Sequence, residues 1–416
     1  MLQKLILDGV GPAKHLEVEF AERLNLITGD NGLGKSFLLD VAWWALTGGW
    51  PSRDRTAMPR KDAATSNLEF ANRGRDPARF VFNHSAQVWE NDSPRGVTSS
   101  PGPVIYAQSD GGFAVWDPAR NGPSAGASPL APFVFDSKEV WRGLADDGRT
   151  RCNGLYRDWA SWQREKGEAF SQLQRALRVL SPPGEVLTPG RLLRISVDDV
   201  LDYPSLQMPY GVEVALLHAS AAMRRIVAFS YLLVWTWQEH LRASNLLRWT
   251  PTRDICLLID EVDAHLHPSW QRRILPALLS VVAEMTQSKT PPAVQIIATT
   301  HSPLVCGSIE SEDPASSKLL DMDLDEELGV RLESVPLEKR GAGENWLRSR
   351  HFDMKTTLPE NAEAEILRAD ALLNRESGVT KQAFAKQTKA LAECLDEFNP
   401  YWVRWTEIGK KRGWLK

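Results

Sequence analysis

Leu24-Asn25-Leu26-Ile27-Thr28-Gly29-Asp30-Asn31-Gly32-Leu33-Gly34-Lys35-Ser36 is the stretch that decides how this chain is read. Its first five residues form a short buried strand, and the glycines that follow loosen the backbone. From Lys35 an apolar helical pattern runs to Leu46 and stops at Gly48-Gly49. Strand, glycine loop and helix in that order are what a phosphate-binding loop requires. Glycines let backbone amides close around phosphate oxygens, and a helix N-terminus adds its dipole. The amides of Gly29, Asn31, Gly32 and Gly34 are expected to cradle a triphosphate, with Lys35 neutralising its charge and Ser36 holding Mg2+.

The complement of that loop lies far downstream. Ile255-Cys256-Leu257-Leu258-Ile259 is an unbroken apolar run, as a strand covered on both faces should be, and it ends in Asp260-Glu261. Paired carboxylates at such a tip act on a cation and on a reactive water. Asp260 is expected to hold Mg2+, and Glu261 to orient and deprotonate the attacking water. An amphipathic helix over Ser269–Met285 leads to a second apolar strand, 293–300, which ends in His301-Ser302-Pro303. His301 is placed to hydrogen-bond a γ-phosphate. Strand, helix and strand in succession predict a parallel sheet and an α/β fold.

The remaining segments read as follows. Residues 3–7 and 16–20 predict an antiparallel hairpin around Gly9-Val10-Gly11-Pro12. Phe80-Val81-Phe82 and a piece near 86–89 are strand-like, and 104–107 with 112–116 flank an Asp110-Gly111 hairpin turn. Residues 117–130 read as a loop. Trp159, Trp162, Phe170, Leu173, Leu177 and Leu180 share one helical face. Strands are expected over 194–201 and 211–217, and a long buried helix over 221–243. Leu319–Asp325 and Val330–Val335 form a hairpin, followed by a helical tail carrying Ile366 and Leu373, then Phe384, Leu391 and Leu395.

The chain has 416 residues, of which 43% are hydrophobic and 25% charged, enough for a large core. A net charge of −4 gives no general attraction to nucleic acid, so a DNA contact would need a local patch or a partner. Four cysteines without a paired spacing read as reduced thiols of a cytosolic protein, and no secretion signal or membrane span is visible. His265 and His267 read as part of a turn rather than as metal ligands. Asp321, Asp323 and Asp325 alternate as an edge strand does. The 16 tryptophans fall mostly in helical apolar stripes, which makes them packing residues.

Thr28-Gly29-Asp30-Asn31-Gly32, Leu258-Ile259-Asp260-Glu261 with Ala264-His265-Leu266-His267-Pro268 after it, and Thr300-His301-Ser302-Pro303 stand in one order. In this the chain resembles the ABC-class ATPases of the SMC/RecF/OLD group. The resemblance implies a P-loop NTPase head with an N-terminal antiparallel β-subdomain, a helical insert and a C-terminal helical domain. It divides the chain into 1–50 and 211–310 as the two core halves, 51–210 as the insert, and 311–416 as hairpin plus helical domain. It implies ATP and Mg2+ as ligands, and heads that associate as a homodimer or higher oligomer. Ser220, in His218-Ala219-Ser220-Ala221-Ala222-Met223-Arg224-Arg225, matches the signature serine that reaches the other subunit's γ-phosphate, with alanines replacing both glycines of the family pattern. Gln108 matches the glutamine that watches Mg2+ from the start of the insert. OLD-like ATPases include those of Septu- and PARIS-like anti-phage systems. This implies a sensor or regulatory subunit with a separate effector, a nuclease in many such systems. The alternatives are a RecF/SMC-like DNA-repair head that binds DNA directly, and an ATP-gated scaffold with little hydrolysis.

Overall fold

The computed structural model describes residues 1–52, 56–93, 102–122, 131–325, 329–341, 343–349, 352, 358–374 and 379–415. The apolar runs Leu24–Gly29, Asp254–Ile259 and Ala293–Thr299 lie side by side at the centre of an eight-stranded sheet. Its order is Gly329–Val335, Ser317–Asp325, Leu24–Gly29, Ala293–Thr299, Asp254–Ile259, Val104–Ala107, Phe113–Trp116 and Phe133–Phe135. Pairing is parallel from Ser317–Asp325 through Val104–Ala107 and antiparallel at both flanks. Parallel strands need cover on both faces, which is why the central runs show no alternation of apolar and polar residues.

A second, antiparallel sheet runs His15–Glu19, Leu2–Asp8, Asn67–Asn72, Ala78–Asn83 and Val88–Asn91. The Lys35–Thr47 helix, almost entirely buried, packs against both sheets. Consecutive residues on a helix point about 100° apart, so neighbouring tryptophans serve different sheets. Trp43 faces Tyr106 of the main sheet at 6.2 Å, while Trp44 meets Phe70 and Phe80 of the second sheet edge-on at 5.9 and 4.6 Å. Truncating a buried tryptophan of this kind to alanine costs about 3–5 kcal/mol. Gln295 pins the two sheets together: its amide accepts from Leu2 N and donates to Leu2 O, each at 2.8 Å, and donates to Ala21 O at 2.9 Å.

Several expectations are corrected by the structure. The Trp159–Leu180 stripe is two helices, Leu155–Glu165 and Glu168–Leu180, because Lys166 turns left-handed (φ 52°) before Gly167. The helix expected over 269–285 is likewise Pro268–Gln271 plus Ile274–Thr286. Pro276 has no N–H and excludes the carbonyl four residues back, so it fits only the first turn of a restarted helix. No strand forms over 194–201. Asp199 instead accepts from Leu201 N at 2.9 Å and from Tyr203 Oη at 2.7 Å, a side-chain turn that leaves Val197 98% exposed. The strands there are the short Thr188–Pro189, Ser205–Gln207 and Glu213–Ala215. The loop expected over 117–130 begins with a short helix, Pro118–Asn121, capped by Asp117, and residues 123–130 lie outside the described residues.

The other expected elements are present, including the long helix, which spans Ala221–Leu247. The Ser317–Asp325 and Gly329–Val335 hairpin joins the main sheet beside the P-loop strand. The chain divides into compact units at Met1–Trp346 and Leu347–Lys416. The second unit holds the helices Glu360–Leu373, Lys381–Cys394 and Tyr401–Lys411. Its core centres on Phe384 stacked on Trp405 at 4.3 Å. All four cysteines are free thiols.

Candidate nucleotide site

Parallel pairing puts the carboxyl ends of the central strands at one edge of the sheet, where open α/β sheets bind ligands. The Ala293–Thr299 strand lies between the P-loop strand and the Asp254–Ile259 strand, with Thr299 opposite Ile27 and Ala298 opposite Ile259. Gly29, Asp260 and His301 therefore leave the sheet together.

The loop is shaped by its glycines. Gly29 has φ 132°, and a Cβ there would come within 2.0 Å of the Met322 carbonyl oxygen. Gly32 (φ 79°) faces open space, with no atom within 4 Å of where a Cβ would be. Gly34 caps the following helix without any side-chain hydrogen bond, so the first-turn amides remain available to an anion. The Lys35 ammonium donates to Gly29 O at 2.8 Å and Asp30 O at 2.6 Å. Burial pulls its pKa down, and Asp260, Asp30, Glu261 and Asp263 act against that shift. Ser36 is half-buried on the first turn.

On the opposite wall Asp260 is 2% exposed. One of its oxygens accepts from the Thr299 hydroxyl at 2.7 Å, and the same hydroxyl accepts from Glu261 N at 2.7 Å. Glu261 adopts φ 48°, a region that costs a non-glycine residue roughly 1–3 kcal/mol and is held only where surroundings enforce it. Arg225 supplies part of that enforcement, donating to Asp260 O at 2.6 Å and Glu261 O at 3.1 Å. The Glu261 carboxylate itself has no hydrogen-bond or ion-pair partner among the described residues. His301 is fixed through its backbone: Asp263 accepts from His301 N at 3.2 Å and from the Thr300 hydroxyl. Burial and then the Lys35 charge lower the His301 pKa, which favours the neutral imidazole.

This donor set fits a magnesium triphosphate: open amides at a bare helix N-terminus, one ammonium, one hydroxyl and a buried carboxylate with one oxygen unpaired among the described residues. Gly29, Asn31, Gly32, Gly34, Lys35, Ser36, Asp260, Glu261 and His301 belong to this single edge. Gln108 follows the strand next to Asp260, and its amide donates to Pro51 O at 2.9 Å. It lines a separate cavity of about 250 Å³ with Asp110, Arg224, Arg225 and His265. Ser220 is exposed at the start of the Ala221–Leu247 helix, accepting from Met223 N at 3.3 Å, and is not part of the P-loop group. Asp323 and Asp325 lie opposite Arg331 at 3.6 and 3.8 Å, and no cluster of metal-ligating side chains occurs among the described residues.

Sequence reading passed over Arg225, Thr299 and Asp263, which hold the Asp260-Glu261 main chain, the Asp260 carboxylate and the His301 backbone. The available signal was a polar Thr299-Thr300 pair closing a strand whose last residues before it, Ile296-Ile297-Ala298, are apolar. Replacing Thr299 by valine leaves an Asp260 oxygen and the Glu261 amide unpaired. It is expected to lower stability by about 1–3 kcal/mol, as read from denaturant midpoints.

A family model described as "AAA domain" matches residues 4–106, and one described as "AAA domain, putative AbiEii toxin, Type IV TA system" matches residues 123–307. The chain is 35% identical over 111 residues to "Retron Ec83 probable ATPase" of Escherichia coli, covering 27% of this chain and 17% of that protein. It is 21% identical over 348 residues to "Septu protein PtuA" of Bacillus thuringiensis, covering 81% and 79% of the two chains. Among solved structures, "SMC head domain from Thermotoga maritima" aligns with TM-score 0.38 and 16% identity, over 80% of this chain and 99% of that one. By its motifs and their meeting at one sheet edge the chain has the fold of a P-loop nucleotide-binding domain, and it is similar to the AAA-domain models, to Septu PtuA and, over a shorter stretch, to the retron ATPase.

Proposed function

We propose that this chain binds and hydrolyses ATP and acts as the regulatory or sensing subunit of a bacterial anti-phage defence complex whose destructive step belongs to a separate effector, a nuclease. The observation carrying the chemical half is that the Gly29 loop, Asp260-Glu261 and His301 meet at one edge of one sheet. In this reading the loop amides and Lys35 hold the phosphates, and Glu261, whose carboxylate has no partner among the described residues, takes a proton from the attacking water. Neutral His301 hydrogen-bonds the γ-phosphate. Mg2+, held by Ser36 and Asp260, would neutralise charge on the phosphate oxygens. Ser220, exposed at a helix N-terminus, suits a contact with nucleotide on a second head, in a dimer or higher oligomer, and Gln108, whose amide is bonded to Pro51 O, would reach the metal only on releasing that bond.

Similarity to Septu PtuA along most of its length supports the defence role. No helix among the described residues is long and apolar enough to cross a membrane. The test is to titrate duplex DNA into the purified chain with ATP and Mg2+ at two salt concentrations. ATP turnover without DNA cleavage, and no stable DNA complex at about 200 mM salt, is expected. A tight ATP-dependent complex whose affinity falls steeply with salt would replace this reading by a DNA-repair head.

A further inference from the structure

A second cavity of about 250 Å³ opens in the insert, remote in sequence from the phosphate loop. It is bounded by the Arg149–Cys152 strand, the Leu155–Glu165 helix and the later half of the Ala221–Leu247 helix, and its charged walls are Arg120, Arg151 and Arg242 with Asp158 and Glu239. At about 30 Å³ per water, this is room for roughly eight waters or a small polar solute.

The charges in this cavity do not cancel. Arg242 is already paired with Glu239 at 2.8 Å. Asp158 has a donor on each oxygen, accepting from Asn153 Nδ2 and Tyr231 Oη, each at 2.8 Å, and burial raises its pKa. Arg120 is different. Its guanidinium lies over the Phe133 ring at 4.2 Å and the Trp235 ring at 4.8 Å. Among the described residues its one side-chain hydrogen bond goes to the Arg151 carbonyl at 3.2 Å, and it has no carboxylate within ion-pair distance. Glu239 and Asp117 influence it from beyond ion-pair distance, and burial is the dominant force on its pKa, lowering it. Arginine cannot shed its proton, so a desolvated guanidinium without a carboxylate partner remains charged at a cost. Beside it the Arg151 guanidinium has, among the described residues, one long contact, 3.6 Å, to the exposed Asp146. The two arginines repel each other, and an anion shared between them would relieve that repulsion.

We propose that this cavity binds a small oxyanion solute whose phosphate or carboxylate group sits between Arg120 and Arg151. The forked guanidinium suits either group. The site shares a helix with Arg225, which lies about 15 Å from Trp235 at 1.5 Å per residue and holds the Asp260 and Glu261 carbonyls. The proposal stands apart from the nucleotide reading.

Calorimetric titration tests it, using inorganic phosphate and, separately, citrate, on the full chain carrying Lys35→Ala so that the P-loop contributes little. One saturable site is expected, weakened tenfold or more by Arg120→Met and by Arg151→Gln. Saturation by phosphate alone identifies a phosphorylated ligand, and saturation by citrate alone a carboxylate. If Arg120→Met does not fold, Arg151→Gln decides, because that side chain is partly solvated. Binding unchanged in the variants, or no saturation by either probe up to about 20 mM, a range weaker than specific sites of this kind, overturns the proposal. ATP turnover, which tests the other reading, is measured independently.

Discussion

Glu261→Gln is expected to lower ATP turnover by about 10²- to 10⁴-fold, the span associated with removing a positioned general base. Glutamine has the same shape, and the main chain at this position is held independently of the side chain. Thr299 Oγ1 accepts from the Glu261 amide at 2.7 Å, Arg225 donates to the Glu261 carbonyl at 3.1 Å, and Val262 N donates to Thr299 O at 2.9 Å. The left-handed φ of 48° is thus imposed from outside and should survive substitution. The carboxylate also has no protein partner among the described residues, so stability should move by no more than about 0.5 kcal/mol. ATP affinity should change little, since the residue addresses the attacking water and not the phosphates. Steady-state phosphate release with an equilibrium ATP titration separates these effects. A variant that keeps turnover within twofold of the parent removes Glu261 from the chemistry.

How much of this was legible in the sequence depends on whether the determining contacts are local. The phosphate loop was legible because glycine spacing, the flanking strand and the helix all lie within a short stretch. The Asp254–Ile259 and Ala293–Thr299 strands were legible because burial on both faces leaves runs dominated by apolar residues, Gln295 being the buried polar exception inside them. The Asn67–Asn72 strand alternates, with Leu68 and Phe70 buried, but sits in a segment of turn-forming residues and was passed over. The breaks at Lys166 and Arg273 escaped the pattern because both halves keep an apolar face, while the interruption depends on one left-handed residue and one proline. Strands were misplaced at 194–201 because Val197 and Val200 look like core residues. Asp199 instead folds the segment into a turn through Leu201 and Tyr203. Arg225 was beyond sequence reasoning altogether, since its role depends on where a long helix passes the Asp260 strand tip.

Lys35→Ala is expected to abolish the stabilisation that ATP and Mg2+ confer on the folded chain while leaving the ligand-free protein folded. In the free structure the ammonium rests on two carbonyls, Gly29 O and Asp30 O, and burial disfavours its charge. Removing it forfeits those two hydrogen bonds but also relieves the desolvation, so the two changes oppose each other. With phosphate present there is no such offset. Hydrogen bonds from a charged donor contribute about 1.5–3 kcal/mol each, so losing one weakens ATP binding roughly 10- to 150-fold. A ligand at 100 times its Kd stabilises a protein by about 2.7 kcal/mol, and a variant binding 100-fold more weakly keeps only about 0.4 kcal/mol of that. Thermal unfolding with and without ATP and Mg2+ reads the difference directly: a clear upward shift in the parent chain and almost none in the variant. Equal shifts in both would mean that the Gly29 loop is not where the nucleotide sits, and the roles given to Ser36, Asp260, Glu261 and His301 would fall with it.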